Sequence, residues 1–270
     1  MDTEPGKNRI EIALANQPAG LWPFLPAAYP DIETTASLLR AFAGLPIRGV
    51  ELGFPFSDPI ADGPVIQQAF SHALARGIRV ADIFEMVAAV RRRADYPILA
   101  MVSVSIVYRI GVKEFVSQAA SAGFDGLIVP DISLEEAPDL AEIAGAAGLR
   151  LSMLIAPTTE PDRERRIAHI AGGFLYYVSV QGTTGERTAL PADLRDQVAE
   201  LRTATGLPVI VGFGISTSHQ VEDVCGFADG AIVGSAIVRR IGKLMGDGQG
   251  CQAIAQDVCR FVAGLAGHGG

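Results

Sequence analysis

Short apolar runs alternate with longer segments of helical period along almost the whole 270-residue chain. The runs at 21–27, 49–53, 98–102, 126–129, 150–155, 174–180, 208–212 and 230–233 have strand length and little internal polar alternation. Helical spacing fills the intervals, at 31–43, 64–75, 80–94, 113–122, 134–147, 161–170, 191–204, 217–224 and much of 235–265. Continuous apolar strands separated by helices are the mark of parallel strands covered on both faces. Eight strand–helix units predict an α/β fold, a single-domain (β/α)8 TIM barrel closed on itself, ahead of an open doubly wound sheet. No Pro/Gly/Ser-rich linker divides the chain, so residues 1–270 are expected to form one domain. Within it, 1–20 reads as an N-terminal extension or helix and the glycine-rich 265–270 as a disordered tail.

Composition narrows the function. The net charge of −8 leaves no basic stripe for nucleic acid, and the one cationic cluster, Arg91–Arg92–Arg93, reads as the solvated last turn of a helix. No apolar run reaches the roughly 18 residues of a membrane span. The polar, acidic N-terminus lacks the basic start and apolar centre of a signal peptide. Cys225, Cys251 and Cys259 have no metal spacing and make no even framework, which points to a reduced, cytoplasmic setting. The four histidines are scattered, so no zinc site is expected. Lysine occurs only at 7, 113 and 243, never at a strand end, which removes a Schiff-base mechanism.

One segment breaks the apolar pattern. ELGFPFSDPIADGP, 51–64, puts a glutamate inside the second strand and follows it with an acid-bearing loop. In a barrel, reactive groups project from the C-terminal ends of strands and the loops after them. Glu51, flanked by Val50 and Leu52, then points into the barrel mouth or into a buried ion pair, because alternate residues face alternate sides. Asp62, two residues before Pro64, is either a second acid at the mouth or a cap on the helix that starts there. Glycine-rich turns follow the last three strands: QGTTG (181–185), GFGIS (212–216) and GSA (234–236). Free backbone N–H groups between a strand end and a helix start favour an anion, and barrels commonly seat phosphate on the last two of these loops. Carboxylate acid–base work on a phosphorylated substrate is the chemistry left, with Tyr176 and Tyr177 as helpers.

ELGFPFSDPIADGP resembles the signature of the tryptophan synthase α subunit family. VPDISLEE (129–136), YYVSVQGTTG (176–185), GFGIS and GAIVGSAIV (230–238) are similar to its other characteristic segments, in the right order from about Trp22 to Val238. The resemblance implies retro-aldol cleavage of indole-3-glycerol phosphate to indole and glyceraldehyde 3-phosphate, with no cofactor and no metal. It further implies a pyridoxal-phosphate-dependent β subunit as partner, in an α2β2 tetramer. Carried over position by position, Glu51 becomes the general acid–base, Asp62 the carboxylate on the indole N–H, and Tyr176 the active-site tyrosine. Gly185, Gly214, Gly234 and Ser235 become the phosphate seat. Phe24, Ile66, Met101, Ile128 and Thr184 are expected to wall the indole ring, or else to fill the core.

Three stretches depart from the family pattern. PFLPAAYPD stands after the first strand where the family carries roughly PFxTAGDP. Ser103-Val104-Ser105 replaces a tyrosine-x-asparagine after the third, and Val180-Gln181 stands where the sixth loop usually has an arginine. The latter two regions face the β subunit in the family. The same sequence is therefore compatible with a stand-alone indole-releasing lyase, or with a non-catalytic subunit that activates a partner.

Overall fold

A computed structural model describes residues 8–16, 19–59, 62–178, 190–212 and 214–267. Its eight strands pair in chain order, all parallel, and β8 pairs back onto β1 to close the barrel. They are β1 Gly20–Pro26, β2 Val50–Gly53, β3 Ile98–Met101, β4 Gly126–Ile128, β5 Arg150–Ile155, β6 Leu175–Val178, β7 Val209–Gly212 and β8 Gly230–Val233. The described helices are α1 Arg9–Asn16, α2 Ile32–Phe42, α3 Pro64–Ala75, α4 Val80–Val90, α5 Val104–Ile110, α6 Val112–Ala122, α7 Ala137–Ala146, α8 Pro161–Ile170, α9 Leu194–Thr205, α10 Ser218–Cys225, α11 Ser235–Gly246 and α12 Cys251–Leu265. The alternation of short apolar runs and helical periods thus gives the (β/α)8 barrel expected of it.

Four local readings are corrected. Residues 103–105 do not continue a loop: Ser103 is the N-cap of α5, accepting from the Ser105 N–H. Asp131, from the β4–α7 connection, accepts from both the Val104 N–H (2.8 Å) and the Ser103 hydroxyl (2.7 Å). Residues 134–136 form turns, and the helix begins only at Ala137. The terminal helical stretch is broken at 247–250 into α11 and α12. Finally, Arg91 is not solvated. It leads a short 3-10 turn, keeps only 11% of its side chain in solvent, and pairs with Asp125 beneath β3 and β4.

Packing fixes which face of each strand meets the barrel interior. Phe54, just past β2, points outward into a knot of rings with Phe84, Phe115 and Phe124, with centroids 5.7 to 6.0 Å apart. Val50 and Leu52 share that outward face, so Glu51 and Gly53 turn inward. At the N-terminal end, α1 plugs the barrel. Ile10 is fully buried, and a Cβ on Gly126 would stand 2.8 Å from its Cδ1. Asn8 donates to the carbonyls of Asp125 and Gly148, and Arg150 donates to Glu11. The helix foreseen within 1–20 is therefore a floor to the barrel, while residues 1–7, 17–18 and 268–270 lie outside those described.

The departure after β1 is filled by packing. Tyr29 is buried edge-on against His72 of α3, with ring centroids 5.5 Å apart, and His72 Nε2 lies 3.0 Å from the Pro30 carbonyl. A Cβ on Gly242 of α11 would come within 2.7 Å of the Tyr29 hydroxyl. The bulk of this tyrosine thus occupies the space between α3 and α11.

Candidate active site

Parallel register places Glu51 between Phe24 of β1 and Leu99 of β3, on the inward face near the C-terminal end of β2. Its exposure is 1%, and among the described residues neither carboxylate oxygen has a hydrogen-bond partner. Burial without partners penalises the charged form, so its pKa is pushed from 4.5 up to about 8, and the charge on Asp62 adds to the rise. A carboxyl with that value carries its proton at neutral pH and can donate it.

Asp62 arrives from the loop and is only partly buried. Burial lifts its pKa from 3.8 to about 6, so near neutrality it is mostly ionised. Its alternative role as a helix cap is not borne out: α3 has Gly63 at its N-cap and no side-chain cap hydrogen bond. Tyr176 of β6 completes the cluster. It is buried and faces inward, and its pKa is raised well above 10, first by burial and then by Glu51 and Asp62. A Cβ on Gly212 of β7 would collide with the tyrosine ring, so the glycine makes room for it. Tyr177 faces the other way, as alternation requires, and donates to Gln197 of α9 at 2.6 Å.

The expected walls and the expected anion seat lie on the same end of the barrel. Phe24, Met101 and Ile128 stand on inward strand positions, and Ile66 is buried in the first turn of α3. Phe24 is flanked by glycines that allow its ring to lie there, since a Cβ would be 2.7 Å away at Gly53 and 3.2 Å away at Gly234. Gly214, after β7, has a φ of 82°, a conformation that glycine adopts without strain. Gly234 is the N-cap of α11 with no side-chain cap, and Ser235 is the first helical residue. Amide N–H groups at such a helix start are the donors an anion needs. Thr184 and Gly185, with the rest of 179–189, lie outside the described residues.

Two further reactive classes lack support. The thiols of Cys225 and Cys259 are both raised to about 11 by burial, far from a nucleophile's range. Among the described residues no group of three or more metal-ligating side chains converges, and no helix is long and apolar enough to cross a membrane.

The family model for the tryptophan synthase alpha chain matches residues 11–264. The chain belongs to the tryptophan synthase alpha chain family. It is 46% identical over 224 residues to the tryptophan synthase alpha chain of Rhodopirellula baltica, covering 82% of this chain and 81% of that one. Against the alpha chain of Prochlorococcus marinus it is 44% identical over 235 residues, covering 87% and 86%. Among solved structures, the tryptophan synthase complex of Pyrococcus furiosus superposes with a TM-score of 0.84 at 33% identity, covering 93% of this chain and 99% of that chain. A second P. furiosus structure, of a tryptophan synthase α2β2 complex, gives 0.85 at 35% identity, with the same coverage. The family reaction is lyase cleavage of indole-3-glycerol phosphate in tryptophan biosynthesis.

Sequence reasoning located the two acids because charge stands out in an apolar run. It passed over Gln67, whose side chain holds the Asp62 loop, because a glutamine inside a helical pattern carries no signal of its own. The cap from Asp131 to α5 was equally hidden, since its partners are 28 residues apart.

Proposed function

We propose that Glu51 is the general acid–base of this tryptophan synthase alpha chain and that Asp62 is its charged counterpart. The observation that carries the reading is a buried, unpartnered Glu51 with a pKa near 8 beside a more hydrated Asp62 near 6. Protonated Glu51 delivers its proton to the indole ring carbon that bears the glycerol phosphate side chain. The ring becomes a cationic indolenine, stabilised by ionised Asp62 at the ring N–H. The side chain's first hydroxyl then loses its proton to the Glu51 carboxylate as the carbon–carbon bond breaks. Indole leaves with the bonding electrons returned to its ring, glyceraldehyde 3-phosphate forms its aldehyde, and Glu51 is again protonated. Two carboxyls in unequal surroundings are what this division of labour requires.

Gly214, Gly234 and Ser235, with Gly185, form the phosphate seat in this reading. Phe24, Ile66, Met101, Ile128 and Thr184 wall the indole ring, and Tyr176 packs against it. The enzyme works in the cytoplasm with a pyridoxal-phosphate-dependent β subunit, as in the α2β2 complex of its P. furiosus relative.

The deciding measurement is indole release by purified Glu51→Gln, expected to fall about 100- to 10,000-fold. The parent's kcat/KM is expected to be bell-shaped, with limbs near 6 and 8, because Asp62 must be ionised and Glu51 protonated. Full activity in Glu51→Gln would overturn the assignment. Stimulation of the same assay by the host's β subunit tests the assembly separately: an unstimulated but active chain leaves the lyase chemistry standing and removes the partner.

A further inference from the structure

Gln67 sits in α3, one turn beyond the loop that delivers Asp62. Its Nε2 donates to the main-chain carbonyl of Asp62 at 2.7 Å and to that of Pro59 at 3.3 Å. The Asp62 N–H itself donates to the Pro59 carbonyl at 3.0 Å. Both hydrogens of one amide nitrogen are thus spent on the main chain at the root of the acid. The backbone of Gln67 is anchored in turn, its N–H donating to the Gly63 carbonyl at 3.0 Å.

The N-cap of α3 is Gly63, which brings no side chain to this task. Asp62 lies two residues outside the helix and its pKa responds to burial, so its placement depends on how its main chain is held. We propose that Gln67 is a positioning residue for the lyase reaction, tying the main chain at Pro59 and Asp62 to α3 so that the Asp62 carboxylate is presented beside Glu51. The inference rests on the role given above to Asp62 and goes beyond it by naming what holds that acid. Gln67 touches no reacting atom.

The test is a steady-state comparison of indole formation by the full-length parent, Gln67→Met, Gln67→Glu and Asp62→Asn. Methionine keeps the length of the side chain and removes the donor. Glutamate keeps the size and, when ionised, turns oxygen lone pairs toward two carbonyls, which carries the test should the methionine variant fold poorly. Misplacement of a catalytic group by about an ångström costs on the order of 100-fold, so kcat in either variant is expected to fall about 10- to 100-fold. KM should stay within about threefold, because substrate binding is left intact. The melting temperature should stay within about 3 °C of the parent's. A purely structural glutamine would instead lower stability and leave kcat unchanged. Parent-like kcat in both Gln67 variants beside an inactive Asp62→Asn overturns the positioning role and spares the reading of Asp62. An active Asp62→Asn overturns both.

Discussion

Among the described residues two carboxylates are buried, at opposite ends of the barrel, and they are treated in opposite ways. At the floor, Asp125 accepts from Arg9 at 2.8 Å, from the Ile98 N–H at 2.8 Å, and from Arg91. At the mouth, Glu51 accepts from none of the described residues. A buried carboxylate normally needs donors, because its desolvation is otherwise uncompensated. Asp125 meets that condition and ties α1, β3 and the turn after α4 into one unit. Glu51 violates it and keeps its proton instead. Burial alone therefore does not set the protonation state of a carboxyl; burial without donors keeps the proton on.

The largest effect expected from breaking this contrast is at the floor. Asp125→Ala removes the charge that compensates the partly buried Arg91, whose own pKa is already lowered by desolvation. Taking one partner from a buried ion pair costs about 3–5 kcal/mol, much of it from the charge left behind. Chemical denaturation at neutral pH should show that loss. A cost below about 1 kcal/mol would mean that the pair behaves like a surface one.

At the mouth the sign reverses. The pKa of Glu51 is higher in the folded chain than the 4.5 of a free side chain, so the folded state binds more protons between 4.5 and about 8. Stability is therefore lost as pH rises through that window, as the unfolded chain ionises and the folded one does not. Glu51→Gln has no proton to lose. The variant should match the parent near pH 4.5 and gain on it by up to about 1.4 kcal/mol per pH unit above that, reaching about 4 kcal/mol near pH 8. A difference that stays flat from pH 5 to 8 would show that the glutamate is solvated in solution.

How much of this was legible beforehand follows from the range of each interaction. The eight strands could be read because each is a local run of apolar residues, and Glu51 because a charge interrupts one of them. The resemblance singled out Tyr176, and the two-residue alternation of a strand then turns Tyr177 to the other side. What stayed hidden was pairing at a distance. Arg91 reads as one of three solvated arginines until Asp125, 34 residues away, is brought beneath it. Ser103-Val104-Ser105 reads as loop until Asp131 caps α5 across the barrel end. The isolation of Glu51 is of the same kind, since it depends on what β1, β3 and β6 place around it. Gln67 shows the converse: its partners are near in sequence, yet a hydrogen bond from a helix back to the preceding loop leaves no periodic trace.

The smallest expected effect separates the two partners of Asp125. Arg9 keeps 39% of its side chain in solvent, against 11% for Arg91, although both contact the same carboxylate. A half-hydrated guanidinium regains water when its partner is lost, so Arg9→Ala should cost no more than about 1 kcal/mol. Asp125 would keep Arg91 and the Ile98 N–H, and so would not become the kind of acid that Glu51 is. The floor should therefore tolerate Arg9→Ala while failing with Asp125→Ala, and lyase activity should be unchanged in the arginine variant. If Arg9→Ala were instead as damaging as Asp125→Ala, α1 would be held on by that one contact. The buried Ile10 and the bonds from Asn8 and Arg150 would then contribute far less to closing the barrel than their packing indicates.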